Sequence, residues 1–579
     1  LIESLSEEEM KKLSLITIFI LLLACGRGGE DKKAPPPAES TVIKDGRLYT
    51  RGFEEREPEN GGVFRRSLPS EPVTLNPVVA ADMTSYLAYK WIFDPLLDMD
   101  KDMKLTGVLA ESWEMSPDGL TLTFNLRKNA KWHDGRPFTS DDVIFTLDAI
   151  RDRSVEAINK RASLERVASY SKLDDFTVEI KFREKYAPSI FDFVLYIVPK
   201  HVYGYPKGEG KKFNSHERNA SPVGSGPFRF VSWKRGESIE LSANPDYFRG
   251  RPRVDSLVLR IMPLLETEHS AFLTDTLDLT RLSPEMWEKT SADPAFKQKA
   301  HLLEYPSRNY FYIGWNQDGS NPFFADRIVR KAMTLAINRE AFISKILKGH
   351  ALPCTGPFFP GSGDSDPSVS PLPCDPAEAS RLLDEAGWKD TNGNGIRDKA
   401  GVEFEFECIY AQEARDYQRF LEFFQQDLKK AGVSMKLRPV EWSVFLKRTH
   451  THKFDAFLSG YSFGDDPNPY SMYHSSMAEL LPSGEGKGEN DVSYVNPDLD
   501  RLLDEQLLET DPGKRQKILW KIHGIIHEDQ PYTFLVVPKS LAAVNNRFQG
   551  VDLSEKGYGL FTFYPALLDW WVPKEKRSR

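Results

Sequence analysis

Cysteine is scarce in this chain, and several patterns that mark nucleotide, redox or metal chemistry are missing. There are 4 cysteines in 579 residues, none spaced as Cys-x-x-Cys to hold zinc or exchange disulfides. No Gly-Lys-Ser/Thr loop is present to cradle a nucleotide phosphate. Basic runs are also lacking: 76 Lys and Arg stand against 85 Asp and Glu, a net charge of −9. The one basic patch is Lys574-Glu575-Lys576-Arg577-Ser578-Arg579, so nucleic acid is not an expected partner. After the first residues no apolar stretch reaches the roughly 20 residues that a spanning helix requires. Hydrophobic residues make up 40% and charged residues 28%, the proportions of a soluble globular protein. A chain this long exceeds what a single core holds, so two or more domains are expected.

The N-terminal segment carries an export signal. Met10-Lys11-Lys12 is a basic start, and Leu13 to Ala24 is an almost wholly apolar run of 12 residues, too short to span a bilayer and typical of a secretory signal. Residues 1–9 are acidic, which places the expected start at Met10. The run ends in Leu22-Leu23-Ala24-Cys25, which resembles the lipobox of bacterial lipoproteins and implies a lipid on Cys25. Beyond it, Ala34-Pro35-Pro36-Pro37-Ala38 favours an extended tether.

Turn chemistry and periodicity outline the body. Ser116-Pro117-Asp118-Gly119 separates two alternating runs, Glu111 to Met115 and Leu120 to Leu126, and predicts a hairpin. Lys234 to Glu237 separates a second pair, Gly226 to Trp233 and Ser238 to Leu241. Helical spacing predicts helices over Arg327 to Ile337 behind Asp326, from Asn338 to Lys348, over Pro376 to Ala386, Tyr417 to Lys430, Leu499 to Leu508 and Lys514 to Glu528. Strands interspersed with helices indicate a mixed α/β architecture.

Several ordered stretches carry a family resemblance. They are Leu109-Ala110-Glu111-Ser112-Trp113-Glu114, then Trp132-His133-Asp134-Gly135-Arg136-Pro137-Phe138, then Gly224-Ser225-Gly226-Pro227-Phe228 and Asn244-Pro245-Asp246-Tyr247-Phe248. Ala336-Ile337-Asn338-Arg339-Glu340 and Gly464-Asp465-Asp466-Pro467-Asn468-Pro469 follow. Together these resemble the peptide-binding family of extracellular solute-binding proteins, of the periplasmic oligopeptide- and dipeptide-binding type. The resemblance implies an α/β, two-lobed periplasmic-binding-protein fold of class II type, with an extra inserted small domain and a hinge between lobes. On that pattern residues 1–25 are the signal and 26–58 a flexible tether. Residues 59–100, 223–308 and 536–579 form lobe I, 101–222 the inserted domain and 309–535 lobe II. The implied function is binding without catalysis: a lipid-anchored, exported monomer, without cofactor, that takes short peptides to the permease subunits of an ABC importer. The same fold could take a nickel or other metal chelate, haem, glutathione, a cell-wall peptide or an oligosaccharide, or serve as a ligand sensor.

The site residues follow from the resemblance. Asp465 or Asp466 is expected to meet a peptide's ammonium, since a desolvated charge needs a partner. Tyr461, Phe463 and Gly464 would shape the pocket before it. Asp82 and Met83 fall where relatives lay a backbone strand beside the peptide. No arginine stands in a placeable motif for a ligand carboxylate. Cys354 and Cys374 bracket a Pro/Gly/Ser-rich loop, and export permits a disulfide between them; Cys408 lies in an alternating strand and is expected as a buried thiol. Asp390, Asn392, Asn394 and Asp398 occupy positions 1, 3, 5 and 9 of a calcium-type loop. Position 12 is Gly401, so a metal-free glycine-rich loop is the expectation. His133 beside Asp134, and His523 with His527, read as structural.

Overall fold

The computed structural model describes residues 41–100, 103–552 and 567–577, and Thr41 onward forms one compact unit. The expected signal segment, Cys25 and the expected tether up to residue 40 lie outside the described residues. Residues 41–58, expected as tether, instead open with the hairpin β1 (Thr41–Lys44) and β2 (Arg47–Thr50), and β2 pairs with Val551–Asp552. The alternation in β2 buries Leu48 and Thr50, and Arg47 Nε bonds Asp552 at 3.0 Å. Those partners sit some 500 residues away, which is why local composition reads as a leash.

The body begins with β3 (Val63–Leu68) and α1 (Met83–Tyr89). The chain then builds a small antiparallel sheet from β4 (Ala110–Met115), β5 (Thr121–Leu126), β6 (Val167–Asp174) and β7 (Thr177–Phe182), in the order β4-β5-β7-β6. Gly119, at φ 73°, makes the predicted β4–β5 turn. Between β5 and β6 lie α2 (Ser140–Arg151), opened by a Thr139–Asp142 capping box, and the short α3 (Ile158–Arg161). The chain returns as β8 (Phe228–Lys234), β9 (Ser238–Ala243) and β10 (Ser256–Ile261), and β10 lies parallel to β3 in a four-stranded sheet.

The motifs of the first half converge on one buried carboxylate. Asp94 accepts from Ser225 Oγ at 2.8 Å and Tyr247 Oη at 2.9 Å, and burial lifts its pKa to about 6. Gly224 is required by close approach: a Cβ there would lie 1.8 Å from the Ile92 carbonyl. His133 bridges the same glycines, Nδ1 accepting from Gly224 N at 3.2 Å and Nε2 donating to the Gly226 carbonyl at 2.9 Å. Burial holds this imidazole neutral, its pKa down at about 4, so the His-Asp pair is scaffolding.

The second half is built on one sheet. In chain order its strands, besides the short Ala351–Pro353 that pairs with the last of them, are β11 (Leu279–Leu282), β12 (Ala300–Pro306), β13 (Asn309–Trp315), β14 (Glu405–Ala411), β15 (Ser434–Val440), β16 (Ala456–Ser462) and β17 (Tyr532–Asn545). The helix α4 (Arg327–Ala336) starts at its predicted cap, Asp326, whose carboxylate accepts from Ile328 N. The helix α5 (Arg415–Lys430) is the crossover between parallel β14 and β15. Two further helices, α6 (Pro497–Leu508) and α7 (Pro512–Asp529), pack on each other and lead into β17. The predicted helix from Asn338 ends at Lys345, three residues early.

The 14-residue β17 serves both halves. Its first part, Tyr532–Val536, pairs with β13, and its second, Lys539–Asn545, pairs with β12. The lobes are therefore joined by two adjacent strands, with the β12–β13 link at Ser307 and Arg308.

Candidate functional site

A cavity of about 660 Å³ lies beside this strand pair, within the range of small-ligand sites. Four separate stretches wall it. The helix α1 gives Met83, Tyr86 and Tyr89; the small-sheet domain gives Lys160, Ser163, Leu164, Phe191, Asp192 and Val194 to Tyr196; the link gives Tyr305 and Ser307 to Asn309; and the end of β16 with the loop after it gives Ser462, Phe463 and Asp465, while Asp98 and Ser540 add single contacts. Tyr86, Tyr89 and Tyr196 meet edge to face at 5.1–6.2 Å, a rigid aromatic floor.

Asp465 faces this cleft and Asp466 faces away. Arg308 Nη1 donates to Asp465 at 2.6 Å, and Nη2 to the carbonyls of Phe463 at 2.7 Å and Gly464 at 2.5 Å. One guanidinium from the hinge thus fixes the whole loop. Asp466 is gripped from behind by Arg515 of α7, Nη1 and Nη2 donating at 2.6 and 2.8 Å, with both side chains 11% exposed. Arg515 also bonds Gln506, which bonds Asn468, whose amide reaches Tyr186 Oη at 3.4 Å in the small-sheet domain. The two lobes are in contact through this chain.

The other expected residues divide. Phe463 lines the cleft, whereas Tyr461 and Gly464 line a small hollow behind it with Asp466; Tyr461 Oη donates to Glu489 at 2.8 Å. Asp82 and Met83 form no strand. Asp82 caps α1, accepting from Ser85 N at 2.8 Å, and Met83 begins the helix with its side chain in the cleft. An aspartate followed by Ser three residues on satisfies the helix start locally, and that outcompetes an extended backbone. Arg308, Lys160, Asp98 and Asp192 also line the cleft or its base, and none belongs to a recognisable motif; the one available signal was a charged residue beside the predicted lobe boundary at 308. Burial raises the Asp98 carboxyl, opposed by Lys90 and reinforced by Asp465 across the cleft. Burial likewise pushes Asp192 up to about 7, with Arg166 opposing and Asp466 adding to the rise.

Three side expectations meet the structure as follows. Cys354 and Cys374 are free thiols, so the expected bridge is not formed. Cys354 follows a strand on β17 and turns into the core, 1% exposed, with Sγ on the Gly356 carbonyl at 3.3 Å. Cys374 instead precedes Asp375, which is tied to the Leu335 carbonyl at 2.9 Å, so separate elements hold the two. Cys408 is the buried strand thiol expected. In the calcium-type loop, Asp390 accepts from Gly393 N and Gly395 N, Asn392 from Asn394 N, Asn394 from Ile396 N, and Asp398 from Thr391; its oxygens are engaged by its own turns. His523 accepts from Asp366 N at 3.1 Å, a loop tie. Gly460-Tyr461-Ser462-Phe463-Gly464 carries the Gly-x-Ser-x-Gly spacing of a hydrolase elbow. Ser462 ends a strand instead of opening a helix, and its hydroxyl donates to Asn309 Oδ1 at 2.5 Å, not to a histidine.

Two lobes, a paired-strand hinge and a cleft walled from both sides are the parts of a two-lobed binding protein. The model for bacterial extracellular solute-binding proteins, family 5 (middle), matches residues 104–479. Oligopeptide-binding protein AppA of Bacillus subtilis is 30% identical over 527 residues, 90% of this chain and 93% of its own length. Its solved structure in complex with a nonapeptide matches with a TM-score of 0.68 over 90% of this chain and 100% of that one. Heme-binding protein A of Haemophilus influenzae is 26% identical over 570 residues, 95% of this chain and 97% of its own. NikZ from Campylobacter jejuni, solved with Ni(L-His), shares the fold at 23% identity, with a TM-score of 0.69 over 88% of this chain and 99% of that one. The chain belongs to the bacterial extracellular solute-binding proteins of family 5.

Proposed function

We propose that this protein captures short peptides with a free N-terminus between its lobes and delivers them to the permease of an ABC importer. The observation that carries the reading is Asp465, a carboxylate held at the cleft by a hinge arginine beside an apolar ring. A carboxylate is the group that a desolvated ammonium requires, and Arg308 holds this one facing the cleft. The tyrosine floor and Phe463 offer side-chain-tolerant apolar surface, as a peptide binder of broad range requires. The name of the AppA relative and its nonapeptide complex support the same ligand class. The expected lobe boundaries, a monomeric state and a lipid on Cys25 complete the proposal: a binder anchored at the envelope through Cys25.

The test is retention of a library of random tetra- to hexapeptides by the purified protein, read by native mass spectrometry and calorimetry. A charge-assisted hydrogen bond contributes about 1.5–3 kcal/mol, so N-acetylation or Asp465→Asn should weaken binding by roughly 10- to 150-fold. Equal retention of free and acetylated peptides would overturn the assignment of Asp465. Retention of a metal chelate or haem in place of any peptide would overturn the ligand class.

A further inference from the structure

The charged groups of the cleft are unequally provided for. Arg308 has Asp465, Lys90 is drawn to Asp98, and Asp192 is opposed by Arg166. Lys160 differs. The residue lines the cleft, and its ammonium donates to the Ala80 carbonyl at 2.7 Å. Among the described residues no carboxylate lies within ion-pair distance, and burial alone shifts its pKa, down to about 8. A half-buried ammonium with three donors and one carbonyl has donors left for a ligand. Ser163 lines the cleft three residues further along the same turn, with a hydroxyl able to donate.

We propose that Lys160, with Ser163, forms the subsite for a ligand carboxylate, opposite Asp465. The proposal rests on the peptide reading and narrows it: the ligand is zwitterionic, its ammonium at the lobe II loop and its carboxylate at the small-sheet domain. Carboxylates of the C-terminus and of Asp or Glu side chains share this chemistry. Closure would then bring each wall to one end of the ligand, so that a molecule with both charges gains contacts in the closed form that a half-matched one does not.

The test is the same tetra- to hexapeptide library in three forms: free acids, C-terminal amides without acidic residues, and C-terminal amides containing Glu. Binding is compared in wild type, Lys160→Met and Lys160→Arg, each with its thermal midpoint checked. Wild type should retain free acids at least tenfold over acid-free amides, Lys160→Met should lose that preference while keeping its affinity for amides, and Lys160→Arg should keep it. Retention of Glu-containing amides at the free-acid level would assign the subsite to a side chain; their loss would assign it to the C-terminus. Equal retention of acids and acid-free amides by wild type, or an unchanged preference in Lys160→Met, would overturn the subsite and leave the peptide reading standing. Retention of no peptide in any form would overturn both.

Discussion

The two walls of the cleft carry similar charges under opposite arrangements. On the lobe II side, Asp465 and Asp466 are adjacent in sequence and each is already matched by an arginine, one from the hinge and one from α7. On the small-sheet side, the partner of Lys160 among the described residues is a carbonyl, and burial holds the Asp192 pKa at about 7 in spite of Arg166. One wall is pre-ordered by internal pairs; the other holds charge whose solvation is incomplete until something else arrives. Pre-ordering fixes geometry before binding, whereas incomplete solvation stores a driving force for it. A binder that must close and reopen uses both.

That contrast can be broken at several points. The largest effect is expected at Arg515→Met, which leaves the buried Asp466 unpaired and should cost about 3–5 kcal/mol of stability, read as a lower urea midpoint. Adding Asp466→Asn to it should restore much of the loss. A change under about 1 kcal/mol in the single variant would mean that the lobe II wall does not depend on its pairs. The opposite sign is expected at Asp192→Asn. A carboxyl with a raised folded pKa binds its proton more tightly when folded, so its contribution is fullest below the unfolded value near 4 and is lost as pH rises through about 7. The variant should therefore gain about 1–2 kcal/mol at pH 8, discounted for partial solvation, with the gain vanishing toward pH 4. Thermal melts across pH 4–8 check both sign and window; a gain that grows on acidification would refute the assignment. The smallest effect belongs to Tyr461→Phe, which removes one rim hydrogen bond to Glu489. About 0.5–1 kcal/mol of stability should go, with peptide affinity unchanged within twofold, because Tyr461 lies behind the cleft wall.

What sequence could and could not reveal follows the range of the interactions. Asp326 and Gly119 act on neighbours within a few residues, and the α4 start and the β4–β5 turn fall where those residues predict. Phe463 and Asp465 were accessible through the family resemblance, since they share one short motif. The cleft as a whole was not: Tyr86, Lys160, Arg308 and Asp465 come from four distant stretches and meet only after folding. Asp82 and Met83 show local chemistry overriding an expectation carried from relatives, as a side-chain cap decided for helix. The Cys354–Cys374 expectation failed for the complementary reason, because spacing along a loop says nothing of which way each thiol turns.

The crossing strand β17 and the segment after it also bear on how the molecule comes to be made. The first lobe is closed by residues that emerge last: Arg547 bonds the buried Asp278 at 2.6 Å, Phe548 and Trp570 pack on Phe64, and Asp552 holds Arg47 across 505 residues of sequence. A chain threaded from its N-terminal side would offer those first segments no partner until nearly all of it had passed. Contacts of such long separation form slowly, so the first lobe can be completed only once these last residues are available. The topology thus sets when folding can finish, by where in the sequence the last strand lies.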